Sequence, residues 1–197
     1  MKEKFAWTLI RNANNLSLYM SNRNDKIAEL RMRRAGLLEL QEQKHLRSLY
    51  GPGLAAIVAI EVGKLVSLDD FEVAIQKPSL LDWPKDLAAA PGLVSAYIGK
   101  REAAKLLECF QNRLGSICGK IGFHDKNYLG LAKLEDVLPV ALLRISQAAE
   151  DSVIFYVENP RGIIMVDCYP SQLAEPFSVV VQGDDLSCKL ALCFRKN

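Results

Sequence analysis

Ser152–Tyr169, SVIFYVENPRGIIMVDCY, sets two apolar runs rich in β-branched and aromatic residues on either side of Asn159-Pro160-Arg161-Gly162. Such runs around a short Pro/Gly turn predict a β-hairpin. Downstream, Phe177–Gln182 is a further strand-like run, and Gly183-Asp184-Asp185 reads as a turn. In Cys188–Phe194, alternation places Cys188, Leu190 and Leu192 on one face and Lys189, Ala191 and Cys193 on the other, which predicts a last strand. Upstream, Val140–Ile145 reads as a strand joined to the hairpin through the polar connector Gln147–Asp151. The alternative is a helix opened by Pro139 at its first position. Consecutive strands with short turns imply an antiparallel meander. The predicted fold class is therefore α+β: N-terminal helices packed on a C-terminal antiparallel sheet of four or five strands.

The helices are sought in the first two-thirds of the chain. Lys2–Met20 reads as one helix, broken by Ser21-Asn22-Arg23-Asn24-Asp25. Asn24 can cap a second helix, with Asp25 favoured by the dipole in its first turn. That helix runs to about Tyr50, where Gly51-Pro52-Gly53 predicts a stop. Ile27, Leu30, Arg34, Leu37, Leu38 and Leu46 fall near helical spacing, an apolar face with a basic interruption. Leu54–Val66 fits a buried helix or a strand, and helix is preferred. Ser67 and Asp70 form a short capping box, predicting a helix over Asp69–Gln76 that ends before Pro78. The most helix-like stretch is Tyr97–Leu114, with Ala103, Leu106, Leu107, Phe110 and Leu114 on one stripe and Gly115 as its stop. These readings divide the chain into a helical region at 1–76, a Pro-rich connecting loop at 77–95 and an α+β region at 96–197. The last packs with the N-terminal helices as one compact unit.

Composition narrows the functional classes. The 197 residues are half apolar and about a quarter charged, with net charge +2, so bulk charge argues neither for nucleic acid nor for a membrane. The charge is uneven: residues 1–50 carry ten Lys/Arg and five Asp/Glu, a net of +5, and the other 147 carry fifteen and eighteen, a net of −3. No apolar run reaches the roughly 20 residues of a membrane span. Met1-Lys2-Glu3-Lys4 leads to an apolar run broken by Arg11 and Asn12, which does not read as a signal peptide. Five cysteines, an odd number without C-x-x-C spacing, are read as reduced thiols in the cytoplasm.

Chemistry-bearing residues are few. Arg31, Arg33 and Arg34 lie close together and could face an anionic partner. A solvated face balanced by Glu29, Glu39 and Glu42 is the better reading, because no basic run with interleaved aromatics follows. Trp83, directly before Pro84, is a candidate binding aromatic, set against a role stapling its loop to the core. Ser116–Leu131 is glycine-rich, with no phosphate-binding signature around Gly119-Lys120. Cys118, near Lys120 and six residues before His124, is the one cysteine whose setting resembles that of a nucleophile. His124 and Asp125 are adjacent, and adjacent residues seldom point so as to form a catalytic dyad, so a turn is expected. Two histidines and no Cys/His cluster predict neither a metal site nor a cofactor.

The leading expectation is a non-enzymatic protein-binding domain in the cytoplasm, of a toxin-neutralising, adaptor or chaperone type, with a homodimer through the N-terminal helices. The alternatives are a cysteine-dependent hydrolase or transferase using Cys118, and nucleic-acid binding through the basic helix. Leu-Pro, a strand, a polar loop and a hairpin, in that order near the C-terminus, are faintly similar to SUKH-type immunity domains. The likeness covers under a third of the chain, and the Trp and Gly-Gly features that would accompany it upstream are missing.

Overall fold

The computed structural model describes residues 2–72, 92–168 and 177–195, and for residues 2–25 and residue 27 the backbone alone. The chain divides into two compact units, residues 1–45 and 46–197. Helix α1 covers Lys2–Val62. The first unit consists of its N-terminal part. The expected break at Ser21–Asp25 is absent, and so is the stop at Gly51-Pro52-Gly53. Gly51 has a packing role instead. A Cβ there would lie 2.6 Å from the Leu68 side chain, so glycine lets the helix sit close to its neighbours. Pro52 falls on the exposed side of the same turn.

The second unit is built on a seven-stranded antiparallel sheet. Its strands are β1 (Phe71–Glu72), β2 (Val94–Ile98), β3 (Ile117–Phe123), β4 (Leu131–Val137), β5 (Val153–Val157), β6 (Gly162–Cys168) and β7 (Phe177–Gln182). Their order across the sheet is β1-β4-β3-β5-β6-β7-β2. Three helices alternate with them along the chain: α2 (Lys100–Leu114), α3 (Pro139–Ala149) and α4 (Asp184–Phe194). The architecture is α+β, but the arrangement of N-terminal helices on a four- or five-stranded C-terminal sheet is contradicted. Helices are interspersed throughout, and the sheet has seven strands.

The hairpin at 152–169 forms as the pattern predicts, with Val153 opposite Val166 and Val157 opposite Gly162. The bond Asn159–Pro160 in its turn is cis. Two neighbouring readings fail. Val140–Ile145 is helix α3, started by Pro139 in its first turn after the extended Leu138. Its near-continuous apolar run is buried as a helix at Ala141, Leu142, Leu143, Ile145 and Ala149. The supposed connector Gln147–Asp151 supplies the last helical turn and the left-handed Glu150 that ends it. With a helix there, the element order that resembled SUKH-type domains is not present. Residues 184–194 are helix α4 rather than a strand. Leu186, Leu190 and Cys193, at i, i+4 and i+7, are its buried face. Asp184 and Asp185 sit in its first turn, where the dipole favours carboxylates.

The glycine-rich stretch Ser116–Leu131 contains strand β3 at the centre of the sheet. Gly119 is a close-approach position: a Cβ would fall 1.9 Å from the Tyr156 carbonyl oxygen on β5. The helix at Tyr97–Leu114 begins at Lys100, because Tyr97 belongs to β2; its stripe residues Ala103, Leu106, Leu107 and Phe110 are buried. The helix expected at Asp69–Gln76 is a single 3₁₀ turn, Leu68–Asp70, followed by β1. The Asp70 carboxylate accepts from the Ser67 backbone and hydroxyl at 2.7 and 2.9 Å, as a capping acid should. Most of the Pro-rich segment at 77–95 lies outside the described residues.

One side of the sheet carries the core. Phe71, Ile121, Phe155, Ile164 and Val181 form a row across it, and they pack with Leu106, Phe110, Leu142, Ile145, Leu186 and Leu190 from the helices. Leu54, Ala55 and Val58 of α1 join this cluster. Arg47 donates to the carbonyls of Leu68, Phe71 and Leu129, tying the Leu68–Phe71 turn and the Leu129 segment to one guanidinium. A smaller apolar group, Ile154, Met165 and Val180, occupies the other side of the sheet.

Candidate functional site

Residues 26–45 of α1 expose both charge and large apolar surface. Glu29, Arg31, Arg33, Arg34 and Glu39 are exposed. Arg33 donates to Glu29 at 2.7 Å, an i,i+4 pair, and Gln43 to Glu39 at 3.5 Å. Leu30, Met32, Leu37, Leu38 and Leu40 are each between 53% and 71% exposed. Single exposed apolar side chains need no explanation, but four leucines and a methionine within eleven residues on one solvated helix do. An isolated helix in water has no tertiary packing to stabilise it, and its apolar side chains gain nothing from water.

The three arginines predicted as a binding group are thus brought onto one exposed stretch, and one of them already holds a carboxylate. Trp83 lies outside the described residues. Cys118 and His124 stand near opposite ends of β3. Six residues of extended strand separate them by about 20 Å, too far for a nucleophile to share a proton with its base. His124 Nδ1 does lie 2.9 Å from the Asp125 carboxylate, contrary to the expectation for adjacent residues. Both side chains are exposed, at 40% and 79%. Their loop is held from below by Asp151, whose buried carboxylate accepts from the backbone N–H of Asp125 at 3.1 Å and of Lys126 at 2.9 Å. The turn role expected of these residues is the one they occupy.

A second feature was not legible in the sequence. An open groove of ≈ 880 Å³ runs along the sheet end where the β5–β6 turn meets the start of α4. Lys120, Tyr156, Glu158, Arg161, Asp184 and Asp185 line it over an apolar floor that includes Val157 and Ile163. Gly162 and Gly183 shape that floor. A Cβ on Gly162 would meet the Gln182 carbonyl oxygen at 2.5 Å, and Gly183 has φ +117°. Burial pushes the Tyr156 hydroxyl above its ordinary value, so it stays a neutral donor. Two cations and three carboxylates leave no dominant sign, and Asp184 and Asp185 already serve the α4 dipole. The groove can hydrogen-bond a ligand, but its lining holds no thiol and no imidazole. The wall residues come from β3, the β5–β6 turn and α4. Reading α4 as a strand concealed their convergence.

Cys109 on α2 and Cys193 on α4 are joined by a disulfide, with Cα atoms 5.8 Å apart. This departs from the expectation of five reduced thiols. Cys118, Cys168 and Cys188 are free. The Cys168 thiol is pushed up from its usual value, chiefly by burial and also by Glu150. Among the described residues, no group of His, Cys, Asp and Glu is arranged to hold a metal ion. Among the same residues, no helix is long and apolar enough to cross a membrane. The class defined by these features is an α+β protein with a seven-stranded antiparallel sheet. No protein-family model, curated protein or solved structure matches the chain.

Proposed function

We propose that this chain is a non-enzymatic protein-binding domain, of an adaptor type, whose interface is the helical face at residues 26–45, and that it self-associates through that face. The observation that carries the reading is the cluster Leu30, Leu37, Leu38 and Leu40, on one side of the helix and more than half exposed, on a helix already continuous in the single chain. A preformed helix loses little further backbone entropy on docking, so burial of these side chains is available to drive association. Fully burying one leucine is worth about 1.5–3 kcal/mol. Arg31, Arg33 and Arg34 then act as the polar surround of the apolar patch, where charges set partner choice more than affinity.

The test is capture of soluble full-length chain by immobilised full-length chain. Leu30→Glu/Leu37→Glu should abolish capture while leaving the circular dichroism spectrum unchanged. Undiminished capture by that variant would remove the helix from the interface.

A further inference from the structure

We propose that the groove at the end of the sheet binds a short peptide of about four residues with both termini free, its carboxylate beside Lys120 and its ammonium beside Asp184 and Asp185. The floor follows from strand register. Lys120 stands opposite Tyr156, Tyr156 opposite Ile163, and Ile163 opposite Gln182, one row across β3, β5, β6 and β7. Each is the sequence neighbour of a core residue (Ile121, Phe155, Ile164 or Val181), so the row points to the face away from the core. Tyr156 and Ile163 pack on the buried cluster Ile154, Met165 and Val180, which holds the floor in place. Four strands about 4.8 Å apart make the row about 14 Å long, the length of roughly four extended residues. The groove's ≈ 880 Å³ suits a ligand of that size.

The two ends of the row differ in sign. Lys133 on β4 stands opposite Lys120, and its ammonium is 3.9 Å from Glu158. Two cations and one carboxylate leave that end positive. At the other end, the Arg161 carbonyl oxygen lies 2.7 Å from where a Cβ on Gly183 would be, which brings the β5–β6 turn next to Asp184 and Asp185. Two carboxylates there outweigh Arg161 and the roughly half positive charge of the α4 start, so that end is negative. A simple anion or cation would be repelled at one end, and a nucleic-acid strand would carry its phosphates past the carboxylates. A dipolar chain satisfies both ends. The row crosses paired strands, whose backbone bonds are already made, so the peptide cannot join as an added strand. It is held instead by its two charged ends and by the Tyr156 hydroxyl and Gln182 amide, with an apolar side chain over Ile163.

Isothermal titration of the full-length chain with the tetrapeptide Ala-Leu-Leu-Ala tests this, beside its N-acetylated, C-amidated and doubly blocked forms. The free peptide should bind saturably, and blocking either end should weaken binding about twofold to fivefold, as loss of an exposed charge contact does. Lys120→Gln should weaken the free peptide by a similar factor and leave the amidated form unchanged. Asp185→Asn should weaken the free peptide and leave the acetylated form unchanged. Both side chains are exposed, so both variants should keep the wild-type circular dichroism spectrum. No saturable binding of the free peptide would overturn the site. Equal affinity for the free and doubly blocked forms would overturn the charged ends. Weakening on blocking one end alone would assign the groove to a terminus of a longer chain and would overturn the two-ended ligand.

Discussion

Asp151 is the residue whose loss should most change the stability of the loop that carries His124. Its side chain is fully buried, and it accepts hydrogen bonds from the backbone N–H of Asp125 and of Lys126. The Lys126 ammonium stands 3.6 Å away, itself anchored on the carbonyls of Ala149 and Glu150. Hydrogen bonds to a charged group are worth about 1.5–3 kcal/mol each, so Asp151→Ala removes two of them, about 3–6 kcal/mol. The more distant ammonium keeps its carbonyl partners and adds little. Against a total stability of about 5–15 kcal/mol, the loss is large. Asp151→Asn keeps one acceptor oxygen but turns an amide toward a backbone donor, and should cost about half as much. Urea unfolding followed by circular dichroism measures both, with an unchanged slope identifying a true stability loss. An Asp151→Ala variant within about 1 kcal/mol of wild type would refute the assignment of this carboxylate as the loop's anchor.

Four further outcomes are expected. Alkylation of the unfolded, unreduced protein should label three thiols, with Cys109 and Cys193 protected; five labels would restore the reduced, cytosolic reading of the cysteines. On the folded protein, exposed Cys188 should react before Cys168, whose thiol is held up by burial and by Glu150. Gly119→Ala should destabilise the sheet by about 1–3 kcal/mol or more, because its methyl group would overlap the Tyr156 carbonyl; a neutral result by thermal melting would contradict the close strand approach. The Asp70 carboxyl lies below its ordinary value of 3.8, held there by the Ser67 backbone N–H and hydroxyl. Its contribution is complete above that ordinary value and is lost as pH falls through the lowered native one. The stability gap between wild type and Asp70→Ala should therefore narrow across that acidic window, and a gap independent of pH would exclude the capping role.

What could be read in advance depended on whether a local pattern had one structural solution. The hairpin at 152–169 did, because its two runs carry β-branched and aromatic residues on either side of an unambiguous turn. So did α2, where Ala103, Leu106, Leu107 and Phe110 define a single helical stripe. Residues 184–194 did not. Cys188, Leu190 and Leu192 alternate like a strand, while Leu186, Leu190 and Cys193 repeat like a helix, and burial chose the second. In Val140–Ile145 nearly every position is apolar, so periodicity could not separate helix from strand. Gly51 misled: read as part of a helix stop, it serves close packing inside the helix, against Leu68, which lies 17 residues away in sequence. The exposed face of α1 was partly legible, since Leu30, Arg34, Leu37 and Leu38 already showed apolar spacing with a basic interruption. The groove was not, because its walls meet only through the strand pairing.

Sedimentation equilibrium of the full-length chain, beside Leu30→Glu/Leu37→Glu, bears most directly on the role given to residues 26–45. Four leucines are buried per dimer at about 1.5 kcal/mol or more each, so the variant should bind itself at least about 10³-fold more weakly. The account predicts a reversible wild-type dimer and a monomeric variant of equal helicity. A wild-type monomer at every concentration, or a variant that dimerises as tightly as wild type, would contradict it.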